Sequence, residues 1–442
     1  MRAGALRPWA AIVCTLGLAS PVRPEPAGVA TVPFTLDHNR LLVTAEIQRP
    51  DGSWRPARLW VDTGNPTFCL APALARDLGV DLAGARPNPD VPPPAGVRLG
   101  GLLLDCGSAP AKVMLEPPWL FGATHADANL PSTVLRRYRV VFDYPRRQLS
   151  LIALDALPGS GSVSTPGAPG APAPRGERAA ASVHPETGIV QIDAVVDGDS
   201  LSFALDMGAS YSFVSADVVE RLAARHPDWP RLTGTAGCAN MWGWWPPGEA
   251  AMPLVRVPEI RWGPARLAGV GLVGVAEVAP GGPPLGAWYS RKTARPVVGF
   301  LGPNAFRDFR VEIDYAGGAV WFERGAESGE GGGGPGGSGG PAVAGAGAEP
   351  GAHDLDLVGL ALRLEADGRY TVVGVPSRDG RSVVAGVEPG DVLLSVDGFE
   401  AAGATMGAVV DALRGQPGEV RVLTLERAGA RFRVEARVER LL

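Results

Sequence analysis

Residues Leu59-Trp60-Val61-Asp62-Thr63-Gly64 and Phe203-Ala204-Leu205-Asp206-Met207-Gly208 decide how this chain is read. In each, an apolar run that reads as a strand ends in an aspartate, and a glycine follows two positions later. A carboxylate at the end of an apolar strand is costly unless it is solvated, hydrogen-bonded or functional, and the glycine permits a tight turn with close backbone approach. Asp-x-Gly alone is weak evidence, because Asp77-Leu78-Gly79 and Asp105-Cys106-Gly107 carry it too. Context separates the first pair from the second. Arg40–Ile47 turns at Asp51-Gly52 into the run ending at Asp62, and Ile189–Val196 turns at Asp197-Gly198 into the run ending at Asp206. Alternating runs joined by an Asp-Gly turn are hairpin signals. Each aspartate is then followed by a second apolar run, Thr67–Leu70 or Tyr211–Val214.

The correspondence returns further along. Leu135–Tyr144 (LRRYRVVFDY) aligns with Phe306–Tyr315 (FRDFRVEIDY), identical at five of ten positions, and a β-type run follows each. Two correlated matches at opposite ends of two blocks predict an internal duplication of a mostly β unit. Packed about a pseudo-twofold axis, such units would bring Asp62 and Asp206 together. Two carboxyls a few ångströms apart cannot both ionise, so they share one proton. The ionised member can take a proton from water and the protonated member can polarise a carbonyl, which is hydrolysis by general acid–base catalysis without metal or cofactor.

Composition sets the boundaries. The chain has 442 residues, of which 60 are glycine and 43 proline, yet 45% are hydrophobic and only 20% charged. A chain unable to bury a core shows the opposite balance, so glycine and proline belong in linkers and turns. Residues 158–182 and 325–352 are such linkers by composition. They leave a first block at 29–157, a second at 183–324 and a third at 353–442. Arg2 and Arg7, the apolar stretch Trp9–Leu18 and the small residues Ala19-Ser20 have the order of a secretory signal peptide, placed at 1–28; an uncleaved anchor is the rival. Export to a periplasmic or extracellular compartment follows. No apolar run reaches the ~20 residues of a membrane-spanning helix. A net charge of −5 argues against a nucleic-acid partner. The only lysines are Lys112 and Lys292, against 39 arginines, which reads as genome composition. The five histidines are scattered, and the cysteine spacings match no metal site. Cys69 and Cys106 could pair in an oxidising compartment, but each reads better as a small buried thiol.

On these motifs the first two blocks resemble the aspartic protease fold, specifically the retropepsin-like lobes of bacterial exported proteins. Asp62-Thr63-Gly64 matches the family's triad, and Val297-Val298-Gly299-Phe300-Leu301-Gly302 matches its hydrophobic-Gly element. The resemblance implies that Asp62 and Asp206 are the catalytic pair, supported by turn residues Thr63, Gly64, Met207 and Gly208. It also implies departures. Met207 stands where the family has Thr or Ser, losing one hydroxyl of an interlocking pair. Asn65 replaces a small residue, and Asp127–Ser132 reads as a degraded hydrophobic-Gly element. A flap would fall at Thr233–Trp245, where Trp242, Trp244 and Trp245 could grip an extended peptide or pack under the neighbouring lobe.

The third block reads as a small α/β module. Val372–Val375 and the pair Arg421–Leu425 and Arg431–Val434 are strand-like, and Thr405–Leu413 has helical spacing with Thr405 near the N-cap. Ala385–Gly398 (AGVEPGDVLLSVDG) closely resembles the core signature of a PDZ domain. By that resemblance Gly359, Leu360, Ala361 and Leu362 would hold a peptide C-terminal carboxylate, the peptide adding as a strand. Met406 would then line the pocket with an apolar preference. The alternative is a module that packs on the lobes and binds nothing.

The expectation is therefore a mostly β protein: two duplicated retropepsin-like lobes plus a small α/β PDZ domain. It would be an exported aspartic endopeptidase acting on polypeptide and binding C-terminal peptides, without cofactor. The rivals are a catalytically inactive peptide-binding protein, an enzyme that pairs lobes between chains, and two capping aspartates in an unrelated β fold.

Overall fold

The computed structural model describes residues 28–107, 109–115, 121–154, 173–235, 251–279, 281–325 and 355–442. The described residues are mostly β, 46% strand against 12% helix. Residues up to 27, read as a signal peptide, most of both linkers, Cys238, and Trp242, Trp244 and Trp245, read as a flap, lie outside the described residues. No described helix is long and apolar enough to cross a membrane.

The hairpins form where the alternation predicts. Val29–Asp37, Arg40–Gln48 and Trp54–Asp62 pair antiparallel in sequence order. From Val43 on, Val43, Ala45 and Ile47 are buried and Thr44, Glu46 and Gln48 are more exposed, the period-2 signature of a strand with one face on the core, while Arg40, Leu41 and Leu42 before them are buried on both faces. In the second block Val190–Val196 pairs with Asp199–Leu205. Their turn holds Asp197 at φ 51 and Gly198 at φ 81, the left-handed pair of a two-residue hairpin turn. A short parallel strand then lies beside each aspartate-bearing strand. Ala128–Pro131 pairs Leu59↔Ala128 through Asp62↔Pro131, and Gly299–Leu301 pairs Phe203↔Gly299 through Leu205↔Leu301. The Asp127–Ser132 stretch, read as degraded, thus makes the same parallel pairing as its counterpart.

The two blocks join through consecutive strands in the order Glu177–Ala180, Ala319–Arg324, Phe309–Asp314, Tyr138–Asp143, Gln148–Ala153, Val29–Asp37. Three come from each side of the junction. At the centre Arg139 faces Asp314, Val141 faces Glu312 and Asp143 faces Arg310. The sequence alignment matches Arg139 with Arg310, Val141 with Glu312 and Asp143 with Asp314, so the pairing exchanges matched positions about Val141/Glu312. The buried Glu312 carboxylate sits there, 2.9 Å from Arg139 Nε and 2.7 Å from Arg310 Nη2.

One boundary moves. Residues 158–182 were expected to be linker throughout, but Glu177–Ala180 is a strand paired with Ala319–Arg324. Its alanines carry no hydrophobic alternation to betray it. Backbone pairing, the burial of Ala179 and the Trp262 Nε1 bond to Ala180 O (3.0 Å) hold it in place. The second block therefore begins near Glu177.

In the third block the strands run Ala361–Leu364, Tyr370–Gly374, Val392–Val396, Val420–Arg427, Ala430–Arg437, with Ala361–Leu364 at the end of the order. The helix is Met406–Leu413, and the hydroxyl of its N-cap Thr405 accepts from Ala408 N at 3.3 Å. This block is docked on the others. Met406 N donates to Ala123 O (2.8 Å), Gly407 N to Asp37 Oδ1 (2.9 Å), and Thr233 bridges to Ser377.

Candidate active site

Asp62 is the last residue of its strand and Asp206 the first after its own, both at the interface between the first two blocks and 4% and 8% exposed. Each carboxylate closes on its own turn in the same way: Gly64 N donates to Asp62 Oδ1 and Gly208 N to Asp206 Oδ1, both at 3.1 Å. Each glycine also faces the opposite aspartate. A methyl group on Gly64 would overlap Asp206 Oδ2, and one on Gly208 would come within 2.8 Å of Asp62 Oδ1. Glycine is required at both positions by this close approach, and the approach puts the two carboxyls in one site.

Three further bonds cross the interface. Thr63 Oγ1 donates to Leu205 O (3.0 Å) and accepts from Met207 N (2.9 Å), and Trp60 Nε1 donates to Gly208 O (2.8 Å). Thr63 thus makes its half of an interlock. Met207 has no hydroxyl for the other half. Its side chain is fully buried, and its sulfur accepts from Tyr144 OH at 3.4 Å. The turn is filled rather than left hollow.

Four residues at the site were not expected from the sequence. Asn129 Nδ2 donates to Asp62 Oδ2 (3.2 Å) and to Thr67 O (3.0 Å), while its Oδ1 accepts from Cys69 N (2.6 Å). Tyr289 OH lies 2.9 Å from Gly64 O and 3.2 Å from Asp206 Oδ2. Lys292 is half-buried, its Nζ 4.5 Å from the centre of the Trp288 ring and 5.5 Å from that of Tyr289. Arg40 is 1% exposed, its guanidinium 5.6 Å from the Trp60 ring centre. One signal was available for Lys292: it is one of two lysines in an arginine-rich chain. Asn129, Tyr289 and Arg40 follow no motif.

Burial pushes both aspartate carboxyls above the ordinary carboxylate range, and for Asp62 the charge of Asp206 adds to it. The cations respond inversely. Burial lowers Lys292 and brings Arg40 down to about 9, against the attraction of both aspartates. A shared proton and two nearby positive charges are what two carboxyls in a low-dielectric site require. The thiols are inert: burial pushes Cys69 up to about 12 and Cys106 up to about 11, and they are not bonded to one another. Among the described residues no cluster of histidine, cysteine and carboxylate side chains could hold a metal ion.

In the third block Leu360, Ala361 and Leu362 are fully buried, and Ala361 and Leu362 begin the strand at the sheet's end, with Gly359 just before it. Met406, expected to line a peptide pocket, is fully buried where the helix start meets the first block. Comparison with known protein families gives no match to this chain, and comparison with curated proteins gives none either.

Proposed function

We propose that this chain is an exported aspartic endopeptidase, built from two duplicated retropepsin-like lobes with a PDZ-like third block. One observation carries the reading: two buried carboxyls, each held by its own glycine N–H and packed on the other's glycine. Water between them loses a proton to the ionised carboxylate as its oxygen bonds to the scissile carbonyl carbon. The protonated carboxyl gives its proton to the carbonyl oxygen. Collapse of the tetrahedral species returns a proton to the amine nitrogen as the C–N bond breaks, and no covalent enzyme intermediate forms.

The reading is tested with a mixed peptide library in water enriched in oxygen-18. Cleavage should place one heavy oxygen in each new carboxylate, and Asp62→Asn should cut at least about 100-fold more slowly. Cleavage at the wild-type rate in Asp62→Asn overturns the mechanism. A wild-type chain that binds peptides without cutting any leaves the inactive-binder reading in its place.

A further inference from the structure

The hairpin turn between Val29–Asp37 and Arg40–Gln48 is buried from end to end. Asp37, His38, Asn39 and Arg40 are all polar, and none is more than 8% exposed. His38 and Asn39 take φ 49 and 65, the left-handed pair of a two-residue turn, and such turns ordinarily lie at the surface. Here two other blocks cover it. On one side lies the start of the third-block helix, where Gly407 N donates to Asp37 Oδ1 (2.9 Å) and Met406 N to Ala123 O (2.8 Å). A helix leaves its first N–H groups without intrahelical partners, and the first block supplies acceptors for both of these. The fit is tight: a methyl group on Gly407 would come within 2.5 Å of His38 N and 2.6 Å of Asp37 Oδ1. On the other side lies the loop of Asp206. Asn39 Nδ2 donates to Ser210 O at 2.6 Å, just past the Asp206-Met207-Gly208 turn. Arg40 completes the contact, its guanidinium over the Trp60 ring whose Nε1 holds Gly208 O. The apolar packing is continuous as well: Trp60 and Tyr211 share one buried cluster with Tyr370, Met406 and Val410 of the third block.

We propose that the third block is a clamp on the aspartate pair: its helix start, seated on the Asp37–Arg40 turn, holds that turn against the Asp206 loop, so that loosening either contact loosens the other. The two contacts are made by residues only two positions apart, Asp37 and Asn39, in a turn with no spare residue to absorb a shift. The coupling does not rest on the hydrolase reading; its effect on peptide cleavage does.

The test is native-state amide exchange on the full chain. Gly407→Ala drives a methyl group into the turn and touches neither aspartate; alanine suits a helix better than glycine, so the contact alone suffers. Protection should fall at the Met406 amide. It should fall too, by about 5- to 150-fold, the usual span of coupling between two sites, at Gly208, whose N–H holds the Asp206 carboxylate. The junction strands Tyr138–Asp143 and Phe309–Asp314 should keep their protection, which separates the effect from a general loss of fold. Where the helix start accommodates the methyl group, Met406→Asp places a charge in the same fully buried contact and is read at Gly407 and Gly208. Asn39→Gly runs the coupling backwards. It keeps the left-handed turn, removes the bond to Ser210 O, and should speed exchange at Gly407. The proposal is overturned if the helix-start amides lose protection while Gly208 keeps it, or if neither third-block variant loosens the helix start. Where a third-block variant also exposes the junction strands, Asn39→Gly decides, and unchanged protection at Gly407 overturns the proposal. On a peptide that the wild type cuts, the undocked variant should lose kcat/KM within the same span, and an unchanged rate denies the clamp a part in catalysis. A chain that cuts no peptide but shows the exchange coupling would sink the hydrolase reading and leave the clamp in place.

Discussion

Thr63→Val isolates the link that joins the two aspartate turns. The substitution keeps the shape of a fully buried side chain and removes a single oxygen. Two bonds go with it, the 3.0 Å donation to Leu205 O and the 2.9 Å acceptance from Met207 N. A buried hydrogen bond contributes about 0.5–1.5 kcal/mol net, and a buried N–H left without an acceptor costs about 1–3 kcal/mol. Valine offers Met207 N nothing, so the expected loss is about 2–4 kcal/mol, roughly 30- to 700-fold in the opening equilibrium. Native-state amide exchange suits the measurement, because a chain of several blocks need not unfold in one step. The Met207 amide should exchange faster in Thr63→Val by that factor and remain protected in Thr63→Ser, which keeps the hydroxyl. If Thr63→Val stays within about 0.5 kcal/mol of wild type, the scale of an ordinary surface substitution, the one-sided interlock does not hold the turns.

Glu312→Gln leaves Arg139 and Arg310 without their shared carboxylate, and breaking a buried ion pair typically costs about 3–5 kcal/mol; urea unfolding should show that loss, and a neutral result would deny Glu312 its place at the centre of the junction. Asn129→Ala removes the donor at Asp62 Oδ2 and should raise the pH at which Asp62 ionises, read from a carboxyl-carbon NMR titration of the full chain. The raised aspartate pKa values also set the sign of the pH dependence. The folded state holds these protons more tightly than the unfolded chain, whose aspartates titrate near ~3.9. The pair's cost is therefore absent below that pH, and stability falls as pH rises through the folded pKa values. Melting curves across this range should decline for wild type and flatten for the Asp62→Asn, Asp206→Asn double variant.

Much of the fold was legible because its signals are local. The hairpins around Asp51-Gly52 and Asp197-Gly198, the Thr405 cap and the paired Asp-x-Gly turns each follow from period, turn chemistry and spacing. What was missed is held by tertiary contact. Glu177–Ala180 has a linker's composition and becomes a strand because a partner strand and Trp262 are waiting for it. Asn129 broke an expected pattern and was read as decay, yet the departure supplies the donor to Asp62. Tyr289 and Lys292 sit far from either aspartate in sequence, in a short helix and the 3-10 turn after it, and only folding brings them to the pair.

The central claim is that Asp62 and Asp206 act as one acid–base pair. On a peptide that the wild type cuts, kcat/KM measured across pH for wild type, Asp62→Asn and Asp206→Asn tests it most directly. The account predicts a bell-shaped wild-type profile and a loss of at least about 100-fold in either variant, since general acid–base catalysis contributes about 10²–10⁴-fold. Wild-type rates in either single variant would contradict it.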